Sequence, residues 1–372
     1  MYIIEEISKL DSKCRPLINN LLPFPINSFV YSNARKWFIN LFNRTNINPI
    51  YISDEFNVKL WDITFNCPIF NAAGMFKKGE GYYTCAKMGA GAYIAGTTTS
   101  TKRQGNKKKG IKHPFMPYPN SKSSSNWLGL PNPGHLFVAN EITKIEKIKK
   151  CPIGISISEN PDTMDIKEVV EGMKLYDKAG VDFIEINLSC PNVQYNKHTS
   201  QIIDIKTADK LNYLSNNFLR NRNRNIPLIV KYSNDINENE LFAAIDILID
   251  LQFDGINIGN TSTKYENYLP LIHPKDIHNY NRFTATFNGG LSGEILKENS
   301  LSLSKLAINY VNSKSLSKEF NVIRTGGISS AEDIVVSKKA GIKLNQWFAG
   351  FFEMFSKNGF NLYKELMDNI QY

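Results

Sequence analysis

A cysteine, a lysine and several asparagines stand where apolar runs of the chain give way to loops. The run 182–188 leads through Glu185-Ile-Asn-Leu-Ser-Cys-Pro-Asn192, which sets Cys190 between Asn187 and Asn192. A cysteine in polar company at the end of a strand is a candidate general base or acid, provided its surroundings help it form the thiolate. Inert packing is the alternative for any lone cysteine, and it is the reading adopted for Cys85 and Cys151. The run Leu228-Ile-Val-Lys231 ends on a lysine. A buried lysine is costly unless it meets negative charge or an electron-rich ring. Asn126, Asn187, Asn192 and Asn260 also fall at run ends or in nearby loops. Each side chain offers donors and an acceptor, so several together can grip a ring that carries alternating C=O and N–H groups. In a chain this rich in asparagine, any one of them alone reads as loop filler.

Two glycine-rich segments add a different chemistry. Gly289-Gly-Leu-Ser-Gly293 and Thr325-Gly-Gly-Ile-Ser-Ser330 can present backbone N–H groups to a phosphate, and the second opens onto a helix start. The elements that must carry these residues alternate regularly. Strand-like runs at 68–73, 90–97, 152–158, 182–188, 227–232, 254–260, 321–326 and 343–350 are separated by helical patterns. The segment 165–179 places Val169, Val170, Met173 and Tyr176 on one face; 238–251 is more apolar still; 331–340 follows Ser329-Ser330, which can cap it. Eight strands alternating with helices predict a closed (β/α)8 barrel of the α/β class. The rival is an open doubly wound sheet, which would be favoured by a G-x-G-x-x-G turn after the first strand; there is none. In such barrels chemistry sits at the C-terminal strand ends, where the unusual residues here are found.

Two stretches interrupt the alternation, 101–150 and 262–300, and long insertions on that face are expected to cover a site or form an interface. Residues 1–55 form a separate front piece ahead of a barrel domain at 56–372, with short helices expected at 3–10 and 32–42 and a break at Pro23 and Pro25. The second helix combines Arg35 and Lys36 with Trp37, Phe38, Leu41 and Phe42. It reads either as a cap packed on the barrel or as an interfacial membrane helix.

Composition narrows the class. Hydrophobic residues make up 42% and charged residues 21%, enough for a large core and too balanced for wholesale disorder. The net charge is +9, and six basic residues with no acid lie in 102–112, either a solvated loop or a surface for an anionic partner. The five cysteines are scattered and form no C-x-x-C pair, which argues against a disulfide framework, a zinc site or an iron–sulfur cluster. No metal is expected. No signal peptide or apolar run of spanning length is seen, so the expectation is a protein of a reducing compartment, on the cytoplasmic side, soluble or peripherally held on a membrane.

Together these motifs resemble the dihydroorotate dehydrogenase family over roughly residues 56–356. Asn71-Ala-Ala-Gly-Met-Phe-Lys77 is similar to the family's first flavin-contacting turn, with Ala72, Ala73 and Gly74 at the cofactor and Lys77 at the substrate carboxylate. Gly96-Thr97 resembles its Gly-Ser pair, and Asn126-Trp-Leu-Gly-Leu-Pro-Asn132 its substrate loop, with Leu128, Gly129 and Leu130 beside Asn126. Ser156, Asn187, Lys231, Gly259, Asn260, Thr261, Ser292, Gly293, Gly326, Gly327, Phe348 and Ala349 fall where that family binds FMN or substrate. The resemblance implies FMN-dependent oxidation of dihydroorotate to orotate, in the de novo route to UMP. Cys190 would take a proton from C5 while hydride passes from C6 to flavin N5. Lys231 would stabilise the reduced flavin, and the asparagines would hold the pyrimidine edges.

The class features are mixed. The Cys190 base resembles the soluble class, whereas the front piece and Lys77 resemble the membrane-associated class; Gln104 replaces a usual Glu, and Gln346-Trp-Phe-Ala349 departs from the usual Gln-Leu-Tyr-Thr. A quinone is favoured as electron acceptor over fumarate or a partner flavoprotein, entering between the N-terminal helices and the barrel, with peripheral membrane contact through 1–55. Nucleic acid is not expected as a partner, and a homodimer stays open. Rival readings are another flavin barrel, acting on dihydropyrimidines or on tRNA dihydrouridine, and an inactive barrel serving as a membrane or partner scaffold.

Overall fold

The computed structural model describes residues 2–188 and 205–370. Cys190 and Asn192 lie outside the described residues. A short antiparallel hairpin, β1 (Val58–Leu60) and β2 (Ile63–Phe65), precedes the barrel. The barrel strands are β3 (Ile69–Asn71), β4 (Tyr93–Thr98), β9 (Ile153–Ile157), β10 (Phe183–Asn187), β11 (Leu228–Ser233), β12 (Gly255–Asn260), β14 (Asn321–Thr325) and β15 (Leu344–Trp347). They pair in parallel in the order β3-β15-β14-β12-β11-β10-β9-β4, matching the eight expected runs. The last seam closes without a regular ladder. The Asn71 side chain donates to the Ile94 carbonyl at 2.8 Å and accepts from the Ile94 N–H, while Gly74 N–H donates to the Gly96 carbonyl.

The barrel fills from the bottom with apolar side chains. Phe70, Ile94, Phe183, Ile229, Ile323 and Leu344 pack inside, sealed below by Leu60, Trp61 and Phe65 of the hairpin. Gly154 makes room for this layer, since a Cβ there would lie 2.2 Å from the Phe183 ring. One pleat higher the same strands turn polar, with Ser156, Glu185, Lys231, Asn257, Thr325 and Gln346 all buried. The period-two alternation of strands thus stacks an apolar floor beneath a polar layer.

The outer helices follow the sequence closely. The helix α5 (Ile166–Lys178) buries Val169, Val170, Met173 and Tyr176 and is capped by Asp165. The helix α7 (Glu238–Asp250) carries an Asn237/Glu240 capping box. Ser330 caps α11 (Ala331–Lys339) by accepting from Asp333 N–H. Such caps each contribute about 1 kcal/mol.

The two insertions meet over the barrel mouth. From the first come a small hairpin, β5 (Lys107–Lys108) and β6 (Ile111–Lys112), then β7 (Phe115–Tyr118) and β8 (Ser123–Asn126); the second supplies β13 (Gly290–Gly293). β13, β8 and β7 form one antiparallel sheet, so the expected cover is a single lid built from both segments.

The front piece corrects an expectation. Its helices are longer than the pattern suggests: α1 spans Ile3–Leu21 and α2 Phe24–Arg44. Pro16 is held inside α1, Pro23 is the N-cap of α2 and Pro25 lies in its first turn, where a missing N–H costs nothing. The two prolines therefore start a helix. Phe38 and Phe42 of α2 pack on Phe355 at ring separations of 5.2 and 6.0 Å, within α12 (Ala349–Asn358). Asn19 of α1 donates to the Pro117 carbonyl at 2.8 Å, tying the helical hairpin to the lid. No helix among the described residues is long and apolar enough to cross a membrane.

Candidate active site

A cavity opens at the C-terminal ends of the barrel strands, under the lid. The β3 end contributes Ala72, Ala73, Gly74 and Lys77; the lid contributes Asn126, Leu128, Leu130, Ser292 and Gly293. The later strand ends contribute Thr97, Asn187, Lys231, Gly259, Asn260, Thr261, Gly326, Gly327, Phe348 and Ala349. Three expected residues stand behind the wall. Ser156 is fully buried and meets Thr97, Oγ to Oγ1, at 3.0 Å. Gly96 faces the Ser156 carbonyl, where a Cβ would come within 2.4 Å. Gly129 backs onto the Asn106 side chain, so it shapes the lid loop without lining the cavity.

A hydrogen-bonded chain runs around the mouth. Asn187 Nδ2 donates to Thr97 Oγ1 at 3.0 Å, and Asn260 Nδ2 donates to Asn187 Oδ1 at 3.0 Å. Asn260 Oδ1 in turn accepts from Thr261 N–H. Linked amides are fixed in rotamer, which is the preorganisation a ring-binding site needs. Lys77 lies alongside the β3 turn, its backbone N–H held by Glu80 at 2.8 Å.

Beneath this rim the polar layer forms one network. Lys231 Nζ donates to Gln346 Oε1 at 3.0 Å and lies 3.5 Å from Glu185 Oε1. Glu185 Oε2 accepts from Asn257 Nδ2 at 2.7 Å and from Gln346 Nε2 at 2.8 Å. Thr325 donates to Asn257 Oδ1 at 2.8 Å. Burial lowers the Lys231 ammonium from its ordinary range, and Glu185 opposes that fall. A charged group this deep persists because its counter-ion is built in.

The sequence reading missed Glu185 and Asn234. The signal for Glu185 was present, since an acidic residue interrupts the apolar strand at an inward position. Asn234 lines the cavity, donates to the Asn260 carbonyl at 2.9 Å and has a buried Oδ1 with no hydrogen-bond partner. Thr261 Oγ1 is likewise buried without one.

The glycine-rich segments form a glycine cradle at one side of the cavity. Gly293, Gly326 and Gly327 hold φ values of 112°, 129° and 72°, which favour glycine, and α11 begins just beyond. Arg324, also missed, lies fully buried behind them. Its guanidinium donates to Ser300, Ser337 and the Lys297 carbonyl, fixing the two backbones that frame the cradle. Buried acceptors without a partner at the mouth, a paired lysine below and a glycine cradle to one side suit a planar ring with N–H donors that carries an anionic group. Among the described residues no group of His, Cys, Asp or Glu is arranged to hold a metal.

Comparison with known proteins decides the family. The family model for dihydroorotate dehydrogenase matches residues 55–371. This chain belongs to the dihydroorotate dehydrogenase family. It is therefore an oxidoreductase acting on a CH–CH donor, in a flavin-dependent family. Among its relatives, the dihydroorotate dehydrogenase (quinone) of Wigglesworthia glossinidia brevipalpis is 29% identical over 84% of this chain and 88% of its own. That of Buchnera aphidicola is 27% identical over 92% and 93%. The solved structure of the Eimeria tenella enzyme in complex with ferulenol superposes with a TM-score of 0.73 at 20% identity, covering 91% of this chain and 90% of that one. That likeness speaks to the fold.

A second cavity lies between the α1–α2 hairpin and the barrel. Tyr31, Trp37 and Phe38 of α2 line it with Phe115, Tyr118 and Phe352, and Arg15 and Arg35 reach its walls. It shares Phe348 and Ala349 with the first cavity.

Proposed function

We propose that this protein oxidises dihydroorotate to orotate with FMN as resident cofactor and passes the electrons to a membrane quinone. The observation that carries the reading is the pair of cavities meeting at Phe348 and Ala349, one ringed by amides, the other aromatic-lined beneath two helices. FMN, when bound, supplies the hydride-accepting atom. Gly293, Gly326 and Gly327 would hold its phosphate, and Lys231 would lie at the anionic side of its ring. Lys77 pairs with the substrate carboxylate, while Asn126, Asn187, Asn192 and Asn260 orient the pyrimidine. Cys190 accepts the C5 proton.

The acceptor follows from the outer surface. Ile3, Leu10, Leu17 and Leu21 recur on α1 at 62–70% exposure, and Ile26, Phe29 and Trp37 on α2 at 49–55%. Exposed apolar stripes on paired helices suit the interfacial zone of a bilayer, where a lipid-soluble acceptor resides. The relatives named above are quinone enzymes, which agrees.

An anaerobic titration tests the reading. The purified protein should be yellow and bleach on addition of dihydroorotate, then recover its band with a short-chain quinone but not with fumarate or NAD. A yellow protein that dihydroorotate leaves unbleached would refute the substrate, and recovery with fumarate alone would refute the acceptor.

A further inference from the structure

We propose that the β5–β6 hairpin and the adjoining flank of α2 form a docking surface for the anionic headgroups of a phospholipid bilayer. This rests on the membrane-delivered acceptor and names the lipid chemistry it would need. The two strands of the hairpin pair Lys107 opposite Lys112, with Lys109 and Gly110 at the turn. Like charges directly opposite each other on an antiparallel pair are destabilising. Among the described residues none of these lysines forms an ion pair with an acidic side chain. Lys112 Nζ donates to the Gln104 amide oxygen at 3.3 Å, Lys108 to the Thr286 carbonyl at 2.7 Å and Lys36 to the Lys112 carbonyl at 3.3 Å. Burial first, then Arg35 and Lys112, lower the Lys36 ammonium from its ordinary range, so the patch is felt as positive by its own members.

Its position gives the charge a use. The Lys36–Lys112 contact fixes the hairpin against α2, and Phe29 and Trp37, on the same helix, stand 55% and 49% exposed. Phe115, which lines the outer cavity, follows Lys112 by three residues. Cations are thereby set at the edge of an apolar face and beside the acceptor cavity. Apolar side chains enter the acyl boundary while lysines remain at the headgroups, and an anionic leaflet supplies the opposite charge.

The test uses the full flavin-loaded chain and two vesicle preparations, phosphatidylcholine alone and phosphatidylcholine with phosphatidylglycerol in equal parts. The wild type should partition more strongly onto the anionic vesicles and lose that preference in high salt. The variant K107Q/K109Q/K112Q should lose about fivefold in partitioning per lysine on anionic vesicles. It should change little on phosphatidylcholine and should bleach with dihydroorotate as the wild type does. Equal wild-type binding to both vesicles, unaltered in the variant, would overturn the proposal and leave membrane delivery standing. Binding to neither would overturn both. Preference for an RNA oligonucleotide over anionic vesicles would overturn it in favour of nucleic acid.

Discussion

Replacing Glu185 by glutamine removes one charge and almost no volume from the polar layer of the barrel. Glu185 Oε1 faces Lys231 Nζ at 3.5 Å, and both residues are buried. At an effective dielectric of about 20, opposite unit charges at that separation attract by about 5 kcal/mol. The amide would also turn a donor, or a weaker acceptor, toward a donor. Removing one partner of a buried pair typically costs 3–5 kcal/mol, so the variant should lose about that much stability at pH 6. The sign of the pH dependence follows from Lys231. Burial already holds its folded pKa below 10.5, with Glu185 opposing. Without Glu185 it falls further. Between the lowered folded value and the unfolded one, the fold binds fewer protons than the unfolded chain, so its stability rises with pH. In the variant that rise begins at lower pH, as Lys231 sheds its proton, and the deficit against wild type should shrink toward pH 9. Urea melting followed by tryptophan fluorescence at pH 6 and pH 9 reads both quantities. A deficit below about 1 kcal/mol, or one equal at the two pH values, would refute the account of Glu185 as the built-in counter-ion.

Lys77→Ala should lower kcat/KM for dihydroorotate by about 10- to 100-fold, the worth of a charge-assisted hydrogen bond, and an unchanged value would remove Lys77 from the carboxylate. Cys190→Ala should keep the yellow flavin while slowing its reduction about 100- to 10,000-fold; reduction at the wild-type rate would end its role as base. Ala34→Trp, at the edge of the outer cavity, should leave reduction by dihydroorotate intact and slow quinone-driven reoxidation about tenfold, as expected when bulk fills a binding cavity. Reoxidation at the wild-type rate would show that the acceptor does not use that cavity.

The barrel was legible because its strands announce themselves twice, as apolar runs and as the carriers of out-of-place polar residues at their ends. Lys231, Asn187 and Asn260 could be placed at the mouth for that reason. Glu185 and Arg324 escaped because a single charge inside an apolar run looks like an interruption until its partners are known. Those partners, Lys231 for one and Ser300 and Ser337 for the other, come from distant strands and helices. Pro23 and Pro25 mark the break between α1 and α2, and the lengths of the two helices were harder to see. Proline before and within a first turn also starts a helix, so α2 begins at Phe24, and its apolar pattern is blurred by residues buried against both lid and barrel. Local spacing could not reveal the merged lid either, because β8 and β13 are far apart in sequence and pair only in the fold.

The arrangement of the two cavities also makes a kinetic claim. Asn126, Asn187, Asn260 and Lys77 line only the inner cavity, and the aromatic residues of α2 line only the outer one; Phe348 and Ala349 are the shared wall. If dihydroorotate and quinone occupy these separate spaces, neither excludes the other. Electrons then pass in two half-reactions, the pattern that gives ping-pong kinetics. Orotate should compete with dihydroorotate, since both need Lys77 and the asparagine ring. Against quinone it should be noncompetitive, because nothing it touches is needed to bind the acceptor. A single site used in turn by both substrates, as a soluble acceptor entering from the lid would require, predicts the reverse. Orotate inhibition that rising quinone concentration abolishes would therefore place the acceptor in the inner cavity and leave the outer one without its proposed role.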